Sequence, residues 1–157
     1  GAVLFNERIA AVLRDRGGEL AHGYTYSGHP VCAAVALENI RILQDEKIVE
    51  TCKHETGPYL AERWKQLGEH PLVGEARIAG MVGALELVPD KGVRRFFEDR
   101  GKVGTLCRTM ALKNGLILRA TYDSMLLSPP LTINRSEIDE LFEKAWKSLN
   151  ETAAAIA

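Results

Sequence analysis

Apolar positions along this chain change their spacing several times, and each change marks an element. Gly1-Ala-Val-Leu-Phe5 is a short continuous apolar run that reads as a buried strand. Asn6 then caps a short helix over 7–14, with Ile9, Val12 and Leu13 on one face and Gly17-Gly18 as its stop. A second extended piece is expected near 20–26. From Pro30, apolar Val31, Ala34, Leu37, Ile40 and Leu43 recur at helical spacing, which predicts a helix to Asp45. The pattern continues over 47–67 through Ile48, Leu60, Trp64 and Leu67, with an interruption or restart at Gly57-Pro58.

Beyond Gly68 the period shortens. Residues 73–88 are rich in β-formers and glycine, with Leu85 and Leu87 alternating around Glu86, and Pro89-Asp-Lys-Gly92 is a turn. A helix follows over 102–113, with Val103, Leu106, Met110 and Leu112 inward and Asn114-Gly115 as its left-handed end. Residues 116–119 and 125–127 read as a hairpin around Asp123-Ser124. Ser136 is the expected cap of a last helix carrying Ile138, Leu141, Ala145 and Leu149, with a fraying tail from Ala153. This order predicts an α+β layer of about three mostly antiparallel strands with helices on one face. The two N-terminal strands have no pairing partner nearby, so 1–45 and 46–157 are expected to belong to different bodies.

Composition narrows the field. A chain of 157 residues with 46% hydrophobic content can bury a core, and 20 basic against 21 acidic residues leave a net charge of −1 with no basic block. Nucleic acid and membrane surfaces are therefore not expected partners. No apolar run reaches the ~18 residues of a membrane span. Cys32, Cys52 and Cys107 are odd in number and lack metal-ligand spacing, which points to reduced thiols, a cytoplasmic setting and no metal site. The start at Gly1, in mid-pattern and without Met, is what part of a longer polypeptide would show.

Chemistry concentrates in His22-Gly-Tyr-Thr-Tyr-Ser-Gly-His-Pro30. Thr25 and Ser27 offer hydroxyls, Gly23 and Gly28 permit close backbone approach, and the following helix start presents free N–H groups, so the turn can hold an anion. The plainer reading is an ordinary capped helix start. His22 and His29 have no third ligand nearby and read as packing or local hydrogen-bonding residues, and His54 and His70 as surface residues. Trp64 and Trp146 read as core, and the charged stretch 90–100 as a solvated loop anchored by Phe96-Phe97. Arg119, taken alone, reads as a surface arginine lying over the hairpin.

Five motifs in order change that balance: Gly1-Ala-Val-Leu, Gly23-Tyr-Thr-Tyr-Ser-Gly-His-Pro30, Gly83-Ala-Leu-Glu-Leu-Val88, Gly115-Leu-Ile-Leu-Arg119 and Ser128-Pro-Pro-Leu131. Together they resemble the class-III pyridoxal-phosphate-dependent aminotransferases, over the whole chain. The resemblance implies an α/β fold of fold type I, with 1–45 closing the large cofactor domain and 46–157 forming the small α+β domain. It implies a C-terminal portion of such an enzyme, working as a homodimer with shared active sites. The cofactor implied is pyridoxal 5'-phosphate. Thr25 matches the family's phosphate-binding threonine, which reaches the other subunit's cofactor, and Tyr24, Tyr26 and Ser27 would line the same interface.

Arg119 matches the arginine that holds the substrate carboxylate in the ω-aminotransferase branch, a task suited to a planar, always-charged fork on a flexible stem. The Schiff-base lysine of the family would precede Gly1 and none of the eight lysines present matches it, so no catalytic residue is assigned and the chain alone is expected to be inactive. Relatives acting on ornithine or 4-aminobutyrate usually carry an arginine shortly before the Pro-Pro pair. Here Met125-Leu-Leu-Ser128 has none, which favours an amine or ω-amino acid donor and a keto acid such as pyruvate. The contrasting reading is a non-catalytic α+β binding or dimerisation module.

Overall fold

The structure, a computed structural model, describes residues 1–93 and 95–156. They divide into two compact units, Gly1–Arg41 and Ile42–Ala157, and helix α2 (Pro30–Asp45) contains the division.

In the first unit, α1 (Glu7–Arg16) starts where Asn6 accepts the Ile9 amide at 3.1 Å, and the Glu7–Arg14 pair joins its two ends at 3.0 Å. The expected strands at 1–5 and 20–26 do not form. A strand needs a neighbour to take its amides and carbonyls, and this unit offers none. No residue of α1 or α2 is buried, and Leu4 is 91% exposed.

The second unit opens with α3 (Ile48–Thr51), a π-helical segment at 52–56, and α4 (Gly57–Gln66). The interruption expected at Gly57-Pro58 is this π segment. Pro58 has no amide to donate, and the Gly57 amide reaches back five residues to the Cys52 carbonyl, where a Cβ on Gly57 would collide. A single 3-10 turn at 67–69 leads to β1 (Val73–Ala79) and β2 (Val82–Leu87), then α5 (Lys102–Lys113), β3 (Arg119–Thr121), β4 (Ser124–Leu127) and α6 (Arg135–Ile156). The sheet is antiparallel throughout, in the order β1-β2-β4-β3, with four strands rather than about three.

Leu85, Leu87, Met125 and Leu127 line the face that meets the helices. Trp64 of α4 seats its ring on Gly83, where a Cβ would stand 2.7 Å from the indole, and donates its N–H to the Arg77 carbonyl at 3.0 Å. Trp146 is half-buried, and Phe97 packs against the core while Phe96 is exposed; Arg94 lies outside the described residues.

Several local expectations need correction: Leu112 of α5, expected inward, is 54% exposed, and β3 covers Arg119–Thr121 rather than 116–119. Helix α6 is capped by Asn134 rather than Ser136: Asn134 Oδ1 accepts the Glu137 amide at 3.0 Å while Glu137 accepts the Asn134 amide at 2.9 Å. Ser136 instead donates to Asn134 Oδ1. The same helix stays helical to Ile156, with Thr152 buried and its hydroxyl bonded to the Ser148 carbonyl, while Ala157 lies outside the described residues. The hairpin turn is Tyr122-Asp123, with Ser124 already in β4. His70, expected at the surface, is 2% exposed beside Trp146, because its ring bonds both the Leu72 amide and Asn150.

Candidate functional site

The first candidate lies in the Gly23–Pro30 turn. The Ser27 amide donates to the Tyr24 carbonyl at 2.9 Å, and the Ser27 hydroxyl oxygen accepts the Tyr24 amide at 2.9 Å, closing a compact loop. Gly28 takes φ 73, a conformation that favours glycine, and redirects the chain into α2. Ser27 is thus a structural closure of the turn whose own O–H remains available to donate. Thr25 is exposed, and among the described residues neither its hydroxyl nor its amide has a partner, nor do the amides of Tyr26 and Gly28. Tyr24 and Tyr26 are 78% and 77% exposed, each edge-on to a histidine, His22 and His29 respectively. The hydroxyls of Thr25 and Ser27 and several open amides just before a helix start form a donor set that suits a phosphate.

The second candidate, in the other unit, is Arg119. Leu116 and Leu118 are buried while Ile117 and Arg119 are exposed, an alternation that turns Arg119 away from the core. Register places it on the face opposite the helix-covered side of the sheet, in one row with Leu126, Ala84 and Arg77. The next row holds Thr121, Ser124, Glu86 and Glu75. Arg77 is engaged there by Glu75 at 3.0 Å and Glu86 at 3.7 Å, and Ser124 donates to Glu86 at 2.6 Å. Arg119 has no ion pair or hydrogen bond through its side chain among the described residues.

The sequence places Asp123 in the hairpin turn but does not reveal its bonds to α5. It is 3% exposed, and its carboxylate accepts the Gly101 amide at 2.8 Å and the Gly104 amide at 2.9 Å, so it caps α5 from the hairpin turn. The available signal was a helix start at Gly101 that carries no capping side chain of its own. Cys32, Cys52 and Cys107 are free thiols, and burial pushes the Cys107 thiol pKa up. No group of His, Cys, Asp and Glu among the described residues is arranged to hold a metal ion, and none of their helices is long and apolar enough to cross a membrane.

Comparison with known proteins gives one consistent result. The family model described as aminotransferase class-III matches residues 1–149. A putrescine–pyruvate aminotransferase of Pseudomonas aeruginosa is 59% identical over 156 residues, covering 99% of this chain and 34% of that protein. A diaminobutyrate–2-oxoglutarate transaminase of Halomonas elongata is 38% identical over 98% of this chain and 34% of its own length. Among solved structures, a thermostable (S)-enantioselective ω-transaminase from Thermomicrobium roseum superposes with a TM-score of 0.83 at 38% identity, over 93% of this chain and 32% of that one. The chain thus spans about a third of the length of the curated relatives it matches.

Proposed function

The chain belongs to the class-III aminotransferase family, and on that premise we propose that it is the C-terminal portion of a pyridoxal-phosphate-dependent transaminase moving an amino group from an amine or ω-amino acid to a keto acid such as pyruvate. The whole enzyme would be a cytoplasmic homodimer. The observation that carries the reading is Arg119: its guanidinium is unpaired on an open sheet face where Arg77, in the same row, is already neutralised by two glutamates. One free guanidinium suits one carboxylate, the need of a monocarboxylate acceptor such as pyruvate.

Pyridoxal phosphate, when bound, supplies the electron sink and the carbonyl that takes up the amino group. This chain's residues would bind and orient. Thr25 donates its hydroxyl to the phosphate of the partner subunit's cofactor, the free amides of the turn add donors, and Tyr24, Tyr26 and Ser27 line the same interface. Arg119 grips the acceptor carboxylate as a bidentate fork and moves aside on its long stem when the donor is an amine without one. With the Schiff-base lysine expected outside these 157 residues, the isolated chain would show no turnover.

The test is Arg119→Ala in the whole enzyme. The expected result is a rise in KM for pyruvate of about 30-fold or more, with turnover of an aldehyde acceptor changed less than about twofold. Equal losses for both acceptors would remove Arg119 from the carboxylate site.

A further inference from the structure

Strand β3 has three residues and lies at the sheet edge, with β4 as its neighbour in the ladder. Its register is therefore set by the turn at Tyr122-Asp123. That turn does not specify itself, because Tyr122 takes φ 51, a conformation that ordinarily calls for Gly or Asn.

The constraint comes from outside the hairpin. Asp123 Oδ2 accepts the Gly101 amide and Oδ1 the Gly104 amide, its backbone carbonyl accepts the Leu87 amide at 2.9 Å, and its side chain is buried. The Tyr122 carbonyl lies so close to Gly104 that a Cβ there would collide. Arg100 places its guanidinium 5.0 Å from the centre of the Tyr122 ring. The carboxylate thus ties the turn to the start of α5, where the exposed amides favour an anion. Because side chains alternate faces, a slip of one residue would turn Arg119 from the open face to the side of Leu85 and Met125.

We propose that Asp123 is a positioning residue for Arg119: by fixing the β3–β4 register against α5, it holds the guanidinium on the open face of the sheet. This rests on Arg119 being the carboxylate anchor. Asp123 touches no substrate and acts through the backbone of β3.

The experiment compares Asp123→Asn, Asp123→Ala and Arg119→Ala in the whole enzyme. Asn keeps the size and one acceptor but sets an NH2 group against one of the two glycine amides, so it is the milder change. The expected result is a rise in KM for pyruvate of about tenfold in Asp123→Asn and more in Asp123→Ala, with turnover of an aldehyde acceptor nearly unchanged. Amide hydrogen exchange should accelerate at 101–104 and 120–124, and not in α4. Exchange unchanged at the hairpin, or parallel losses on both acceptors at constant KM, overturns the positioning role. If Arg119→Ala raises KM while Asp123→Asn is silent, the positioning claim alone fails. If Arg119→Ala is itself silent, the carboxylate-anchor reading fails and takes the positioning claim with it. Should both Asp123 variants fail to fold, exchange at 101–104 and 120–124 in the unmodified enzyme decides: opening of the two segments together supports the clamp, and independent opening overturns it.

Discussion

At the scale of single residues, His70 shows how burial turns a surface-type residue into a pH-sensitive one. Nδ1 accepts the Leu72 amide at 3.1 Å, which leaves the proton on Nε2 to donate to Asn150 Oδ1 at 3.1 Å. Burial holds its pKa below the ordinary histidine value of 6.5, the Asn150 bond opposes this and the nearby Lys91 charge adds to it. The folded pKa lies below the unfolded one, so the unfolded chain binds more protons; stability is fully present above about pH 6.5 and is lost as pH falls from there through the lower folded value. Melting temperature should therefore drop between about pH 7 and about pH 5, and His70→Gln, though less stable at neutral pH, should show a flatter profile. An unchanged profile in the variant would remove His70 as the source. Thr25 makes the complementary case of a group with nothing to bind within its own unit. Thr25→Val should weaken cofactor binding about tenfold, read by fluorescence titration, since a hydrogen bond to a charged group contributes roughly 1.5–3 kcal/mol.

At the scale of elements, helices were legible where caps and period agreed. Asn6, Pro30 and Asn114-Gly115 marked α1, α2 and the end of α5 because each acts locally, Asn6 and Asn114-Gly115 through bonds within a few residues and Pro30 through its fixed φ. What depended on distant partners was hidden. Asp123 caps a helix some twenty residues away in sequence, His70 is buried by α6, and Asn134 took the capping role from Ser136 because Glu137 could complete the reciprocal pair. The packing of α4 on the sheet rests on the absence of a side chain at Gly83, so Gly83→Ala should destabilise by about 1–3 kcal/mol in denaturant unfolding. A neutral Gly83→Ala would mean that Trp64 can shift without loss.

At the scale of the whole molecule, the sequence motifs pointed to the family more surely than periodicity pointed to the N-terminal strands. Those strands were read from apolar runs, yet Val3, Leu4 and Leu20 are exposed and unpaired, since a run of side chains cannot supply a neighbouring strand's hydrogen bonds. The candidate residues differ in this respect: the donors of the Thr25 turn suggest an anion site by themselves, whereas Arg119 stands out only through resemblance, because a free guanidinium looks like a surface group until a ligand is placed against it. The most direct test of the Thr25 phosphate site is a crystal structure of the whole enzyme with pyridoxal phosphate bound. The Thr25 hydroxyl should lie about 2.5–3.0 Å from a phosphate oxygen of the partner subunit's cofactor. A Thr25 hydroxyl bonded elsewhere, with the phosphate held by other residues, would contradict it.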